Sequence, residues 1–234
     1  MILAVETAAG ACSVALSNGS EMYTRYSEQA RAHSQLTMGM VDEVLAESGC
    51  NVRDIDGLGV TIGPGSFTGL RIGFSIIQGL AFAMGLSVAP VSTLKTMVAT
   101  YRRGRDDVKK SVCLAVLDAR MGQFAVGIYR WNGERLSTER HDCLLSASAV
   151  HALINQLRPT ALIGETEKLL AAQENDIAAH SIDVCELYPH ALDLYELAAE
   201  QHRRGLSMPI DEIELCYLRG TEAWTKRIRI SRDG

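Results

Sequence analysis

The chain has 234 residues, of which 47% are hydrophobic and 22% are charged, and its formal net charge at pH 7 is −5. This composition is typical of a globular protein with a sizeable core, and it excludes a disordered chain, a collagen and a coiled coil. It also argues against a dedicated nucleic-acid-binding protein, because such proteins usually carry a strong basic excess.

The sequence predicts a cytoplasmic protein with no membrane segment. Residues 1–6 have no basic region and reach a carboxylate at once, unlike a signal peptide. The most apolar stretch, residues 69–89, contains Arg71, Ser75 and Gln78, so we expect a packed helix there. The six cysteines are widely spaced without a CxxC pair, which predicts reduced thiols and no zinc or redox motif.

In the first half of the chain, apolar spacing predicts three strands, then a helix, a strand, a helix, a strand and a helix. The first three strands form a meander, because Asn18-Gly19 is a hairpin turn signal. Ser34 and Thr93 are the predicted N-caps of the first and third helices. The strands are predicted at residues 2–5, 12–16, 21–27, 58–62 and 88–91, and the helices at 34–48, 69–86 and 93–103.

The same order of elements restarts after a polar linker at residues 104–107. Leu114-Ala115-Val116 repeats Leu3-Ala4-Val5, and Asn132-Gly133 is a second hairpin turn signal. The strands are predicted at residues 112–117, 124–131, 134–140, 161–163 and 183–187, and the helices at 146–158, 165–173 and 191–204.

This duplication predicts an α/β fold of two lobes with RNase H-like topology, each a mixed sheet flanked by helices. Two such lobes around a cleft are the architecture of actin, Hsp70 and the sugar kinases. We expect lobes at residues 1–104 and 105–234, with the C-terminal segment returning to the first lobe.

In that architecture a nucleotide lies between the lobes, beside the turns that follow the first strand of each. Here these turns are residues 6–10 and 118–122, so Glu6 and Asp118 are candidates to hold Mg²⁺ through water. The alternative is that both carboxylates serve local hydrogen bonds. The second half lacks the glycine-rich turn that approaches adenosine, so a working ATPase is not expected.

Residues 63–69, Gly-Pro-Gly-Ser-Phe-Thr-Gly, join a predicted strand to a predicted helix. Free N–H groups at the start of that helix could hold an anion, although the segment is not a Walker A loop. The alternative is a turn that simply packs tightly. The residues of this remnant anion or nucleotide site would be Glu6, Thr7, Gly65, Ser66 and Asp118.

The first two helices carry more apolar and small residues than one sheet contact needs. Glycines inside a helix cost about 0.5–1 kcal/mol each against alanine, so their presence suggests that another helix packs closely. We therefore expect a helix-to-helix interface with a second subunit. The residues predicted at this interface are Leu36, Gly39, Met40, Glu43, Gly69, Ile72, Gly73, Ile76 and Leu80.

The sequence predicts no catalytic residue and no metal ligand. It contains no HxxxH pair and no Gly-x-Ser-x-Gly elbow, and His141 with Cys143 is a poor candidate for a nucleophile and base. The basic run at residues 224–232 could contact RNA phosphates or could simply be solvated.

The eleven residues Gly-Pro-Gly-Ser-Phe-Thr-Gly-Leu-Arg-Ile-Gly, 63–73, resemble the motif of the TsaB (YeaZ) family, subunits of tRNA threonylcarbamoyladenosine biosynthesis. Further segments fit the same family, so the resemblance spans nearly the whole chain. They are residues 2–8, 11–16, 33–35, 91–94, 118–122 and 217–219.

The resemblance implies a two-lobed actin-like subunit without its own catalytic site. It implies pairing with catalytic TsaD through the first two helices, cooperation with the ATPase TsaE, and a homodimer when the chain is alone. The complex would modify adenosine 37 of tRNAs that read ANN codons. ATP and metal would be used by the partner subunits, so no cofactor is expected in this chain. Glu6 departs from the family, where Asp is common at this position. An independent nucleotide-dependent enzyme is the alternative, and a peptidase is disfavoured.

Overall fold

The structure is a computed structural model that describes residues 1–29, 33–105, 110–172 and 181–218. Two five-stranded sheets form its centre, and each has the same order of strands. The first is ordered β3-β2-β1-β4-β5 and the second β10-β9-β6-β7-β8. The strands are β1 Ile2–Glu6, β2 Cys12–Ser17, β3 Met22–Ser27, β4 Gly57–Gly63, β5 Val88–Ser92, β6 Lys110–Asp118, β7 Gln123–Asn132, β8 Arg135–Ser146, β9 Ala161–Gly164 and β10 Asp183–Cys185.

Each sheet combines an antiparallel meander with parallel strands. In the first sheet β1 pairs antiparallel with β2 and parallel with β4, and in the second β6 pairs antiparallel with β7 and parallel with β9. The parallel pairs need crossover helices, which the chain supplies. The helices are α1 His33–Ser48, α2 Phe67–Met84, α3 Thr93–Arg102, α4 Ala147–Leu157, α5 Thr166–Ala171 and α6 Ala191–Arg203. The predicted fold class is therefore confirmed.

Helices cover both faces of each sheet, and alternate residues of a strand contact the helices on opposite faces. Leu3 and Val5 of β1 belong to the core beneath α1 and α2, whereas Ala4 packs with Leu194 of α6 on the other face. Gly59 of β4 also faces α6, where an added Cβ would lie 2.6 Å from Ala198 Cβ. The first sheet is thus covered by α1 and α2 on one face and by α6 on the other.

The second sheet is covered in the same way, with α3 on its inner face and α4 and α5 on its outer face. Each sheet therefore takes one covering helix from the other half of the chain, because α3 follows β5 and α6 follows β10. The Ala191 N–H at the start of α6 donates to Ser13 Oγ of β2 over 2.9 Å. The lobe division at residues 104 and 105 remains a prediction.

Several boundaries differ from the sequence-based expectation. β8 ends at Ser146 and not at the predicted residue 140. Its pairing with β7 continues beyond two register shifts near Ile128. The N-cap of α3 is Ser92 rather than Thr93, and α1 begins at His33, so Ser34 lies within that helix. The predicted basic run at residues 224–232 lies outside the described residues.

Helix α2 is long and apolar enough to cross a membrane, with a hydropathy of 1.4, yet only 28% of it is buried inside the structure. Length and composition are weak evidence for a span. The buried residues of α2 face the first sheet. Phe74, Leu80 and Met84 pack partly against the same core, whereas Phe82 is 87% exposed.

Candidate functional site

The central strands β1 and β6 end in equivalent turns, and both turns face one cleft. A cavity of about 550 Å³ lies there, lined by Ala8, Gly10 and the glycine motif from one side and by Asp118 and Lys168 from the other. Of the residues predicted for a remnant anion site, Gly65, Ser66 and Asp118 line this cavity. Glu6 and Thr7 do not, because both are buried beneath it.

The glycine motif holds α2 against the turn after β1. A Cβ at Gly65 would lie 2.3 Å from the Ala8 carbonyl oxygen, and one at Gly69 would lie 2.1 Å from that of Thr7. Thr7 Oγ1 donates to Gly69 O over 2.7 Å and accepts from the Gly73 N–H over 3.1 Å. The close approach that Gly69 and Gly73 predict is therefore made to Thr7 within the chain, and a place for them at a partner interface remains a prediction.

Backbone N–H groups at the start of α2 already have hydrogen-bond acceptors within the chain. Ser66 Oγ accepts from the Gly69 N–H over 3.3 Å, and the Ser66 N–H donates to Ala8 O over 2.7 Å. These contacts favour the tightly packed turn over the anion cradle, since they occupy donors that a bound anion would need.

Glu6 is completely buried at the end of β1. Its Oε1 accepts from the Ala8 N–H over 2.7 Å and from Thr61 Oγ1 over 3.3 Å, while Oε2 has no hydrogen-bond partner among the described residues. Burial raises the pKa of Glu6 to about 8, against which the two hydrogen bonds act only in part. The carboxyl group is therefore mostly protonated at neutral pH.

Asp118 lies at the opposite side of the cleft in an ion pair. Its Oδ2 accepts from Lys168 Nζ over 2.9 Å, and its Oδ1 accepts from the Arg120 N–H over 2.8 Å. Burial acts to raise the pKa of Asp118, but the bonds from Lys168 and Arg120 outweigh it and hold the pKa below the usual value. Asp118 is thus ionised, and Lys168 neutralises it.

These two carboxyl groups do not fit the Mg²⁺ site of a nucleotide-binding protein. Magnesium is held by ionised oxygens and its own waters, whereas Glu6 is buried and protonated and Asp118 is bound to an ammonium group. Within residues 1–29, 33–105, 110–172 and 181–218 no group of three or more His, Cys, Asp or Glu side chains could hold a metal ion. The geometry favours the alternative in which both carboxyl groups serve local bonds.

Helices α1 and α2 pack side by side and present a common apolar face, here called the α1–α2 face. Met40 lies in the core, and Glu43 is exposed and bonded to Arg25 over 2.6 Å. Around the Cβ position of Gly39 nothing lies within 4 Å. The remaining predicted interface residues are half-buried: Leu36, Ile72, Ile76 and Leu80.

Three exposed apolar residues lie near this face but outside the predicted interface set. Phe82 is 87% exposed, and Met38 and Phe67 are each 45% exposed. The Arg71 guanidinium stacks 3.6 Å above the Phe67 ring and donates to Tyr217 OH over 3.2 Å. Sequence spacing could have identified Phe82 as a residue off the buried stripe of α2, but not the contact with Tyr217, which is far away in the chain.

A second missed feature is a polar cluster that joins the two halves. Ser92 Oγ at the end of β5 donates to Asp142 Oδ2 of β8 over 2.5 Å, and Tyr129 OH of β7 donates to Asp142 Oδ1. Burial raises the pKa of Asp142, and the two donors counteract this only in part. His141 and Cys143 flank this aspartate on β8.

Known proteins resemble this chain over nearly its whole length. The Escherichia coli K12 "tRNA threonylcarbamoyladenosine biosynthesis protein TsaB" is 34% identical over 236 residues, which cover 96% of this chain and 97% of that protein. The chain belongs to the TsaB family. A Haemophilus influenzae TsaB is 33% identical, with 96% of each chain covered.

Two further comparisons agree with the TsaB family. Residues 25–186, more than half of the chain, match the family model described as "TsaD: tRNA N6-adenosine threonylcarbamoyltransferase". The solved structure of YeaZ from Pseudomonas aeruginosa is 26% identical with a TM-score of 0.75, and it covers 93% of this chain and 99% of its own. A second Pseudomonas aeruginosa structure, described as similar to the peptidase YEAZ, has a TM-score of 0.79 at 27% identity and covers the same shares.

Proposed function

We propose that this chain is a non-catalytic, cytoplasmic subunit of the complex that makes N6-threonylcarbamoyladenosine at adenosine 37 of tRNAs reading ANN codons. Its role is to pair with TsaD through the α1–α2 face. The observation that carries the proposal is that face, which stays apolar and partly exposed in a chain whose relatives are named for this biosynthesis. Exposed apolar surface of this kind marks a protein interface.

The geometry of the cleft supports a role without chemistry of its own. An independent nucleotide-dependent enzyme would need ionised carboxylates free to hold Mg²⁺, and the Asp118–Lys168 ion pair and the protonated Glu6 do not supply them. On this proposal ATP and metal are used by partner subunits, among them TsaE. A chain without its partner would cover the same face with a second copy and form a homodimer.

The pairing is tested by changing Gly39. Because nothing lies within 4 Å of its Cβ position, Gly39→Arg has room in the folded chain but places a charge on the α1–α2 face. We expect this variant to co-purify poorly with TsaD and to lower the N6-threonylcarbamoyladenosine content of tRNA in cells that depend on it. Val184→Asp is the matched control, since Val184 is 40% exposed on β10 of the second sheet.

Full-strength pairing and normal tRNA modification with Gly39→Arg would contradict the proposal. Calorimetry with Mg-ATP on the lone chain addresses the alternative enzyme, and we expect no micromolar binding. Micromolar binding that is lost in Glu6→Ala and Asp118→Ala would favour the nucleotide-dependent enzyme instead.

A further inference from the structure

A second large concavity, here called the α3–α6 groove, lies between those two helices and the β7–β8 hairpin. Its volume is about 1330 Å³, and its lining contains more cations than anions. The cationic residues are Lys95, Arg102, Arg103, Arg135, Arg203 and Arg204, and the acidic ones are Glu134, Asp193, Glu196 and Glu200. In a chain with a net charge of −5, this is a local excess of positive charge.

Most of the arginines of the groove have carboxylate partners. Arg102 pairs with Glu134 over 2.9 Å. Arg103 pairs with Asp193 over 3.4 Å, and Arg203 and Arg204 share Glu200, at 3.1 and 3.8 Å. These pairs hold the guanidinium groups in place at the rim. Sharing one carboxylate between two arginines leaves positive charge uncompensated.

Lys95 and Arg135 have no ion-pair partner within the described chain. Lys95 is half-buried on α3. Burial is the main cause that lowers its pKa, the nearby Arg204 lowers the pKa further, and Glu200 acts in the opposite direction. Glu200 is the anion nearest to this pair, but Arg203 and Arg204 already share it. A further negative charge beside Lys95 would therefore be favourable.

The spread of the cations indicates a chain of anions and not a single one. Lys95 and Arg102 are seven residues apart on α3, which is roughly 10 Å along the helix axis. Arginine and lysine distributed over such a length suit successive phosphates of a nucleic-acid backbone. The groove also lies on the α6 side of the first sheet, opposite the α1–α2 face, so that a partner bound to that face leaves it open.

We propose that the α3–α6 groove binds the phosphodiester backbone of an RNA. The inference rests on the proposed function for the identity of that RNA, a tRNA. Binding is through phosphates, so it adds affinity and orientation without reading the base sequence.

The test uses the full-length chain and an unmodified tRNA transcript, with affinity measured by fluorescence anisotropy at several salt concentrations. We expect the double variant Lys95→Ala/Arg135→Ala to bind more weakly, and the slope of log K against log salt to become shallower by roughly 1 for each cation removed. Arg53→Ala is the matched control, because Arg53 is an exposed cation outside the groove, and it should leave both quantities unchanged.

Equal affinity and equal slope for the double variant and the wild type would overturn the inference, as would the absence of tRNA binding by the wild type. Micromolar ATP binding that the double variant loses, with tRNA affinity unchanged, would assign the groove to a free nucleotide and overturn it too. Co-purification of the double variant with TsaD distinguishes this inference from the proposed function. If the variant pairs with TsaD at full strength and its affinity for tRNA is unaltered, the groove is rejected as an RNA site and the proposed function still stands.

Discussion

At the scale of single residues, Glu6 shows how the fold converts a carboxylate of the expected metal site into a structural group. A glutamate that is fully buried, with one oxygen unpartnered among the described residues, is stable only when it carries a proton. The side chain still fixes the turn after β1, because Oε1 accepts from Ala8 and Thr61. The same turn packs against Gly65 and Gly69 at the cleft through the carbonyl groups of Ala8 and Thr7.

This arrangement makes the stability of the chain depend on pH in a defined direction. The folded-state pKa of Glu6, about 8, lies above its ordinary value of 4.5. The stability that Glu6 contributes is therefore complete below about pH 4.5 and is lost as the pH rises towards 8. We expect Glu6→Gln, which resembles the protonated group, to remove a few kcal/mol of this decline. Urea unfolding at pH 5, 6.5 and 8 measures it, with Glu21→Gln as the exposed control.

A Glu6→Gln chain that loses as much stability between pH 5 and 8 as the wild type would show that Glu6 is ionised in the folded state. In that case the carboxylate would again be a candidate for a cation site at the cleft.

At the scale of secondary-structure elements, the contacts that hold α2 require glycine at positions 69 and 73 but not at position 79. A Cβ at Gly73 would lie 2.5 Å from Thr7 Oγ1, whereas nothing lies within 4 Å of the Cβ position at Gly79. We expect Gly73→Ala to lower the free energy of unfolding by roughly 1–3 kcal/mol, because it displaces Thr7 from its two bonds to α2. Gly79→Ala should raise it by about 0.5–1 kcal/mol through helix propensity.

Thermal and urea unfolding of both variants check this prediction. If the two alanine variants have the same stability, the contact between Thr7 and α2 does not hold the helix. Gly73 is buried and Gly79 is exposed on the same helix, so the two variants compare the same substitution at a packed and at an open position.

The elements that sequence could predict are those that local pattern specifies. Alternating apolar residues and the Asn18-Gly19 and Asn132-Gly133 turns predicted both meanders, and apolar spacing predicted α2 and α6. The glycines of α2 predict a close neighbour, but helix spacing does not say whether that neighbour belongs to the same chain, and at Gly73 it is Thr7. The Ser92–Asp142 bond and the positions of α3 and α6 join residues far apart in sequence, so no local pattern signals them.

At the scale of the whole molecule, five layers follow one another: α1 with α2, the first sheet, α3 with α6, the second sheet, and α4 with α5. The middle layer belongs to both halves, and this explains why the α3–α6 groove and the cleft both lie between the sheets. The α1–α2 face is the outermost layer on one side. A partner can therefore dock there without contact with the inner layers.

Because the halves share a middle layer, polar bonds across it should contribute more to stability than equivalent local bonds. Ser92 and Ser146 are both N-caps, accepting from the N–H three residues later, but Ser92 also donates to Asp142 over 2.5 Å. We expect Ser146→Ala to cost about 1 kcal/mol for the cap, and Ser92→Ala roughly 2–3 kcal/mol, since it leaves the half-buried Asp142 with one donor fewer. Urea unfolding measures both, and equal losses for the two variants would mean that the Ser92–Asp142 bond does not couple the halves of the molecule.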